Sequence, residues 1–327
     1  DWAARLDGGA ELRAAPGALI GLTRGGDVRA FDPATGEVRW REAFAAPFAA
    51  AAVAGNLVVV ADGTARLTVR DATSGEQRAA LDGLPVRPSA LVVCGGVAVA
   101  VLSSGDVVGV DAGGGGLLWR RRAPGGHVRV FAAGADLAMV VEGVHGAHLS
   151  LVDPASGDPV AMRFVTGMVD AVCASPAGVA VTVRDGATLR LAELSRARGA
   201  TANVATGRVP GRARCVAAAD GWLVAAGDRV IAVRDGEAAW SLRLGRGVAI
   251  GAGVAPGDGL VSAVSDDGLA LIDAEAGRVL ATEPCVWERV GALVARSGDA
   301  VVVEPSDEGF ARLHLFAMAG WLVALEG

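Results

Sequence analysis

Val28-Arg29-Ala30-Phe31-Asp32-Pro33-Ala34-Thr35-Gly36-Glu37-Val38-Arg39-Trp40 reads as strand, tight turn, strand, with a tryptophan on the returning strand. Val28 to Phe31 has the alternation of a strand with one buried face. Asp32-Pro33 opens a turn, because an Asp carboxylate accepts bonds from the N–H groups just ahead and Pro33 fixes φ near −65°. Gly36 supplies the positive φ that sends the chain back.

Variants of this stretch recur along the whole chain. Residues 65–76 repeat it around Asp71 and Gly75, and residues 106–120 around Asp111 and Trp119. Residues 148–157 repeat it around Asp153 and Gly157, and residues 269–280 around Asp273 and Gly277. The fifth copy, 188–194, keeps the strand and loses the turn before a polar stretch, 195–206; the sixth, 229–240, shortens the turn between Asp235 and Trp240. The last copy, 311–321, is degenerate. The anchors at 32, 71, 111 and 153 stand roughly 40 residues apart, the period of a four-stranded propeller blade. Ahead of each anchored strand lies a second apolar strand, such as 97–102, and before that a short Ala-rich one, such as 49–53, suited to the crowded axis. Eight such units predict an all-β, eight-bladed propeller of four-stranded antiparallel blades. It forms a single domain, 1–327, with its ring closed by pairing of N- and C-terminal strands. Residues 2–6 and 321–324 are both candidates for the closing outer strand.

The composition excludes several classes. Hydrophobic residues make up 52% of the chain, and no run of about 18 apolar residues lacks a charge, so no transmembrane segment is expected. The sequence opens at Asp1 without a basic-then-apolar leader, which says little about compartment. Net charge is −6, every basic side chain is Arg, and these are scattered among Asp and Glu. Nucleic acid is therefore not an expected partner, since phosphate binding needs clustered positive charge. Arg120-Arg121-Arg122 reads as a solvated strand end. The four cysteines, Cys94, Cys173, Cys215 and Cys285, show no CxxC spacing and read as small buried hydrophobes in different repeats.

Residues 30–40 resemble the repeat of pyrroloquinoline-quinone-type (PQQ-like) β-propellers, in which the outer-strand Trp docks blade to blade. That implies docking by Trp40, Trp119 and Trp240, with Ala79, Ala161 and Ala281 at the equivalent places in other copies. The quinone dehydrogenases that share the repeat carry a vicinal Cys pair, a calcium site and long insertions. This chain has no adjacent cysteines and only two Asn and one Gln to supply amide ligands. The non-enzymatic branch of the family is the better match. In size and blade number the chain also resembles the periplasmic propeller lipoproteins of outer-membrane protein assembly.

No catalytic, cofactor-binding or metal site is expected. His145 and His148 sit at a spacing that throws their rings to opposite faces of a strand. Ser104-Gly105-Asp106 and Asp266-Asp267-Gly268 offer too few oxygens for calcium. Gly113–Gly116 lacks the Lys and helix of a phosphate loop. Surfaces remain. Trp287, Arg196 and Arg198 lie in segments that depart from the repeat and are the candidate interaction residues. The expected function is a non-catalytic protein-interaction scaffold. Its partners are other proteins, it serves as a subunit or accessory of a larger bacterial assembly, and it is periplasmic or extracytoplasmic, with the cytoplasm as the other compartment. The alternative is a ligand-sensing domain of a larger receptor or kinase, with a small molecule in the central funnel.

Overall fold

A computed structural model describes residues 3–7, 10–23, 25–44, 50–123, 125–197, 199–206, 212–218, 220–245, 248–250, 260–265, 267–283, 292–296, 299–305 and 310–317. Among the described residues there is no helix. Among the described residues the strands form eight four-stranded sheets, all of whose pairings are antiparallel. Seven sheets are consecutive meanders. The first uses Ala10–Ala15, Ala18–Thr23, Asp27–Phe31 and Val38–Ala43. The others follow in order across residues 50–81, 88–122, 127–166, 168–206, 214–243 and 249–283. The eighth joins both ends of the chain: Ala3–Asp7 pairs with Phe310–Ala317 on the outer side of the strands at 292–305. The N-terminal candidate, 2–6, thus coincides with a pairing strand, and the other candidate, 321–324, lies outside the described residues.

The first strands of successive sheets touch one another in sequence from the first sheet to the seventh, and the first sheet's also touches Ala292–Arg296 of the eighth. That radial succession, with one short strand from each sheet innermost, is a β-propeller arrangement. It places the core between sheets, not within one. Each hydrophobic cluster is shared by two neighbours: Ile20, Val28 and Ala30 pack with Val58 and Val60, and Val99 and Val107 pack with Leu137 and Val152. Second and third strands are therefore buried on both faces. Along Val97–Leu102 every residue is buried, with Ala98 and Ala100 facing the second sheet and Val99 and Val101 the fourth.

The anchored turn is built the same way five times among the described residues. Asp32 Oδ1 accepts from the N–H groups of Ala34 (2.8 Å) and Thr35 (3.1 Å), while the Gly36 N–H donates to the Asp32 carbonyl. Asp71, Asp111, Asp153 and Asp273 repeat the pattern, with Gly75, Gly115, Gly157 and Gly277 donating back. All five closing glycines have φ between +67° and +75°.

Asp235 departs from this pattern. Asp235 and Gly236 form a two-residue hairpin at φ +50° and +82°, joining Arg229–Arg234 directly to Glu237–Arg243. Counting from the bulge that precedes each anchored turn, Ala232 opposite Trp240 matches Ala30 opposite Trp40, so Arg234, not Asp235, occupies the place of Asp32. The polar stretch after the fifth copy is also regular. Gly199–Thr206 is the outer strand of the fifth sheet, paired along Thr188–Leu194.

Candidate functional site

The joints between sheets account for most of the polar side chains. Trp40 donates from Nε1 to the Ala72 carbonyl (2.9 Å), Trp119 to Pro154 (2.7 Å) and Trp240 to Ala274 (3.1 Å). In each case the acceptor directly follows the anchor Asp of the next sheet. The indole then lies flat against the closing glycine: a Cβ on Gly75, Gly157 or Gly277 would sit 2.8, 2.7 or 2.5 Å from the ring. These glycines thus serve the turn and the joint together. Trp119 also needs Gly109 opposite it, where a Cβ would stand 2.3 Å from the indole.

Other joints serve the sheets without the tryptophan and reinforce those that have it. In the fourth, Arg163 reaches the fifth sheet and donates to the carbonyls of Glu193 (2.9 Å) and Ala200 (2.6 Å) and to Thr201 Oγ1 (2.6 Å). Between the second and third, Gly115 lets the turn approach the Ala80 carbonyl, which a Cβ would meet at 2.7 Å. Arg70 joins Glu42, and Trp222 donates to Glu193 Oε2. Arg234 donates to the carbonyls of Ala274 and Glu275.

The anchor carboxylates belong to this framework. Asp32 has its pKa lowered to about 2, first by the hydrogen bond from Arg39 and then by the Ala34 and Thr35 N–H groups. Asp71 is likewise lowered to about 2, chiefly by the Ser74 N–H, with Arg78 and Thr73 adding to it. Asp273 is lowered by the Ala276 N–H and by Arg278. Such carboxylates stay ionised and occupied, the condition of turn anchors and not of proton-transfer groups.

Of the residues expected at an interaction surface, Trp287 and Arg198 lie outside the described residues. Arg196 is bound internally: it forms a two-pronged ion pair from the fifth sheet to Asp136 of the fourth, at 2.6 and 2.5 Å, and Asp136 is buried. Its side chain is 60% exposed, with the guanidinium engaged in the inter-sheet clasp. His145 falls in the hairpin between Asp136–Gly143 and Gly146–Val152, and His148 lies against Phe164 with ring centroids 4.7 Å apart. Among the described residues no group of three or more His, Cys, Asp or Glu is placed to hold a metal.

A surface that the sequence reading did not single out lies on the outer strand of the fourth sheet, Pro159–Thr166. Val160, Met162 and Phe164 share one face of it and are 46%, 71% and 49% exposed. Met168, just beyond, is 64% exposed. Register shows what these residues replace. In the first and third sheets the place of Met162 holds Arg41 and Arg120, each bonded to an Asp (Asp27, Asp106) that stands where His148 stands here. The place of Phe164 holds Ala43, Arg122 and Arg243 in the first, third and sixth sheets. An Asp–Arg lattice has thus become an apolar stripe backed by a His–Phe contact. The strand is also the outermost of its sheet among the described residues, so one edge of its backbone has no neighbouring strand. The available signal was the exchange of Arg for Met and Phe at fixed repeat positions.

Comparison with known proteins places this architecture. Residues 1–141 match the family model described as outer membrane protein assembly factor BamB. The matched span includes the stretch around Asp32 and Trp40 that reads as a PQQ-type repeat. Among solved structures, the crystal structure of BamB from Moraxella catarrhalis is similar with a TM-score of 0.67 at 16% identity, covering 97% of this chain and 99% of that one. The computationally designed protein Ika8 is similar at 0.70 and 17% identity, over 95% and 97% of the two chains. The dihydro-heme d1 dehydrogenase NirN, solved in complex with DHE, is similar at 0.64 and 16% identity, over 93% of this chain and 72% of that one. These likenesses show the fold, a β-propeller. No curated protein matches the sequence.

Proposed function

We propose that the chain is a non-catalytic protein-interaction scaffold: a single eight-bladed propeller, 1–327, closed by Ala3–Asp7 on Phe310–Ala317, that serves as a subunit or accessory of a larger extracytoplasmic bacterial assembly. The observation that carries this reading is the stripe Val160–Met162–Phe164 on an open edge strand, with Met162 where the first and third sheets carry Arg41 and Arg120. Edge strands are normally guarded by charge, and an unguarded apolar edge is a template for an extended segment of another chain. Exposed methionine adapts to varied partner side chains. The match of residues 1–141 to a family named for outer-membrane protein assembly supports a protein partner and a location outside the cytoplasm, and no described helix is long and apolar enough to cross a membrane.

The test is site-specific photo-crosslinking in the source organism, with a photoreactive residue at Met162 or Phe164 and a control at Arg41. The reading expects a discrete protein adduct from Met162 and Phe164 and none from Arg41. Equal adducts at all three positions, or none, would remove the stripe as the docking edge. A thermal shift with a metal ion, a quinone or a sugar would favour the sensor instead, since a ligand bound only by the folded state raises stability.

A further inference from the structure

Cys173 lies on Met168–Ser175 and Cys215 on Arg214–Ala218, the first strands of the fifth and sixth sheets, which pack directly on one another. Both side chains are buried in the same cluster, which also holds Ala180, Ala213 and Trp222. The Cys215 side chain adds to burial in raising the Cys173 thiol. Cys94 offers the contrast within the same molecule: its thiol donates to the Asp136 carbonyl at 3.0 Å and both are held in a different joint. We infer that Cys173 and Cys215 form a dithiol site that is oxidised to a disulfide bridging the fifth and sixth blades, with a small-molecule disulfide as electron acceptor.

The chemistry balances with oxidised glutathione. One cysteine thiolate attacks a glutathione sulfur, breaking its S–S bond and forming a mixed disulfide while the first glutathione thiolate leaves and takes up a proton. The second cysteine thiolate then attacks the protein sulfur, expels the second glutathione thiolate and closes the Cys173–Cys215 bond. Two protein S–H bonds are lost, two electrons pass to the acceptor, and two glutathione thiols form. Burial pushes the Cys173 thiol well above its ordinary range, so that group stays protonated in the closed protein and its exchange there is slow. Oxidation therefore belongs to folding or to opening of this joint, and the closed joint then shields the bond from reductants.

The test is refolding of the full chain with oxidised and reduced glutathione, quenching with a thiol alkylator, and peptide mapping with and without reduction. The expected product carries one peptide pair joining Cys173 to Cys215, two hydrogens lighter than the separate peptides, while Cys94 is alkylated. Its thermal midpoint lies several degrees above that of the reduced chain, and Cys173→Ser and Cys215→Ala each abolish that difference. Mapping of the wild-type chain decides the matter even where a variant folds poorly. Alkylation of both thiols after oxidative refolding would overturn the inference. So would pairing of either with Cys94, Cys285 or glutathione alone.

Discussion

Gly75 is where the turn and the joint can be separated. An alanine there must hold φ at +75°, and its Cβ would stand 2.8 Å from Cγ and Cδ2 of Trp40. The left-handed backbone costs about 1–2 kcal/mol for a residue with a Cβ. Crowding a packed ring adds about 1–3 kcal/mol. Gly75→Ala is thus expected to destabilise the chain by about 2–5 kcal/mol. Gly83 provides the control, because its φ is +80° with nothing within 4 Å of an added Cβ. Gly83→Ala should cost only the backbone share, about 1–2 kcal/mol. The assay is urea unfolding followed by far-UV circular dichroism, a signal that does not depend on Trp40. A double variant with Trp40→Ala should cost less than the sum of the singles, since the ring that the added methyl group would strike has gone. Equal costs at Gly75 and Gly83, or strict additivity with Trp40→Ala, would refute the docking of that indole on the glycine.

Other expectations follow from the same joints. Arg184→Ala leaves Asp170, whose side chain is only 3% exposed, with the Ala213 N–H in place of a 2.5 Å ion pair; the expected loss in denaturant unfolding is about 3–5 kcal/mol. Arg196→Ala removes both prongs from buried Asp136 and should lower the urea midpoint more than Arg243→Ala, whose partner Asp228 is only half-buried. Asp32 and Asp71 titrate near 2 when folded, against an ordinary 3.8. Their contribution is therefore present above about pH 4 and is lost as pH falls toward 2, the sign expected for depressed carboxylates. Thermal midpoints of Asp32→Asn and of the parent chain should converge across that window, and a constant gap down to pH 2 would contradict it.

The repeat was legible because its signals are local. An Asp carboxylate bonding two residues ahead, a glycine at positive φ and a tryptophan a few residues on all fall within one hairpin, so residues 28–40 announce the unit without knowledge of its neighbours. The same locality explains the errors. Asp235 follows an apolar strand and precedes a tryptophan as Asp32 does, but a two-residue hairpin shifts the count by one and gives the anchor's place to Arg234. Residues 195–206 look irregular because they lack the turn chemistry, yet cross-strand pairing makes a regular edge strand of 199–206. Arg196 reads as a candidate interaction residue in a segment that departs from the repeat, and its ion pair with Asp136, sixty residues away in sequence, comes into view only with the fold. Cys173 and Cys215 read as members of separate repeats, although that places them on adjacent blades. The stripe at Val160, Met162 and Phe164 alternates plainly in the sequence, but its exposure follows from position at the outside of a sheet, which alternation alone does not give.

Binding is the claim on which the functional account stands. Its most direct test is capture of partners from source extract by the immobilised chain and its Met162→Arg variant side by side, coupled without amine chemistry because the sequence has no lysine. The account expects one protein retained in stoichiometric amount by the parent and lost from Met162→Arg, with both chains showing the same thermal midpoint. Equal retention by the two, or a blank from the parent at low salt, would contradict it.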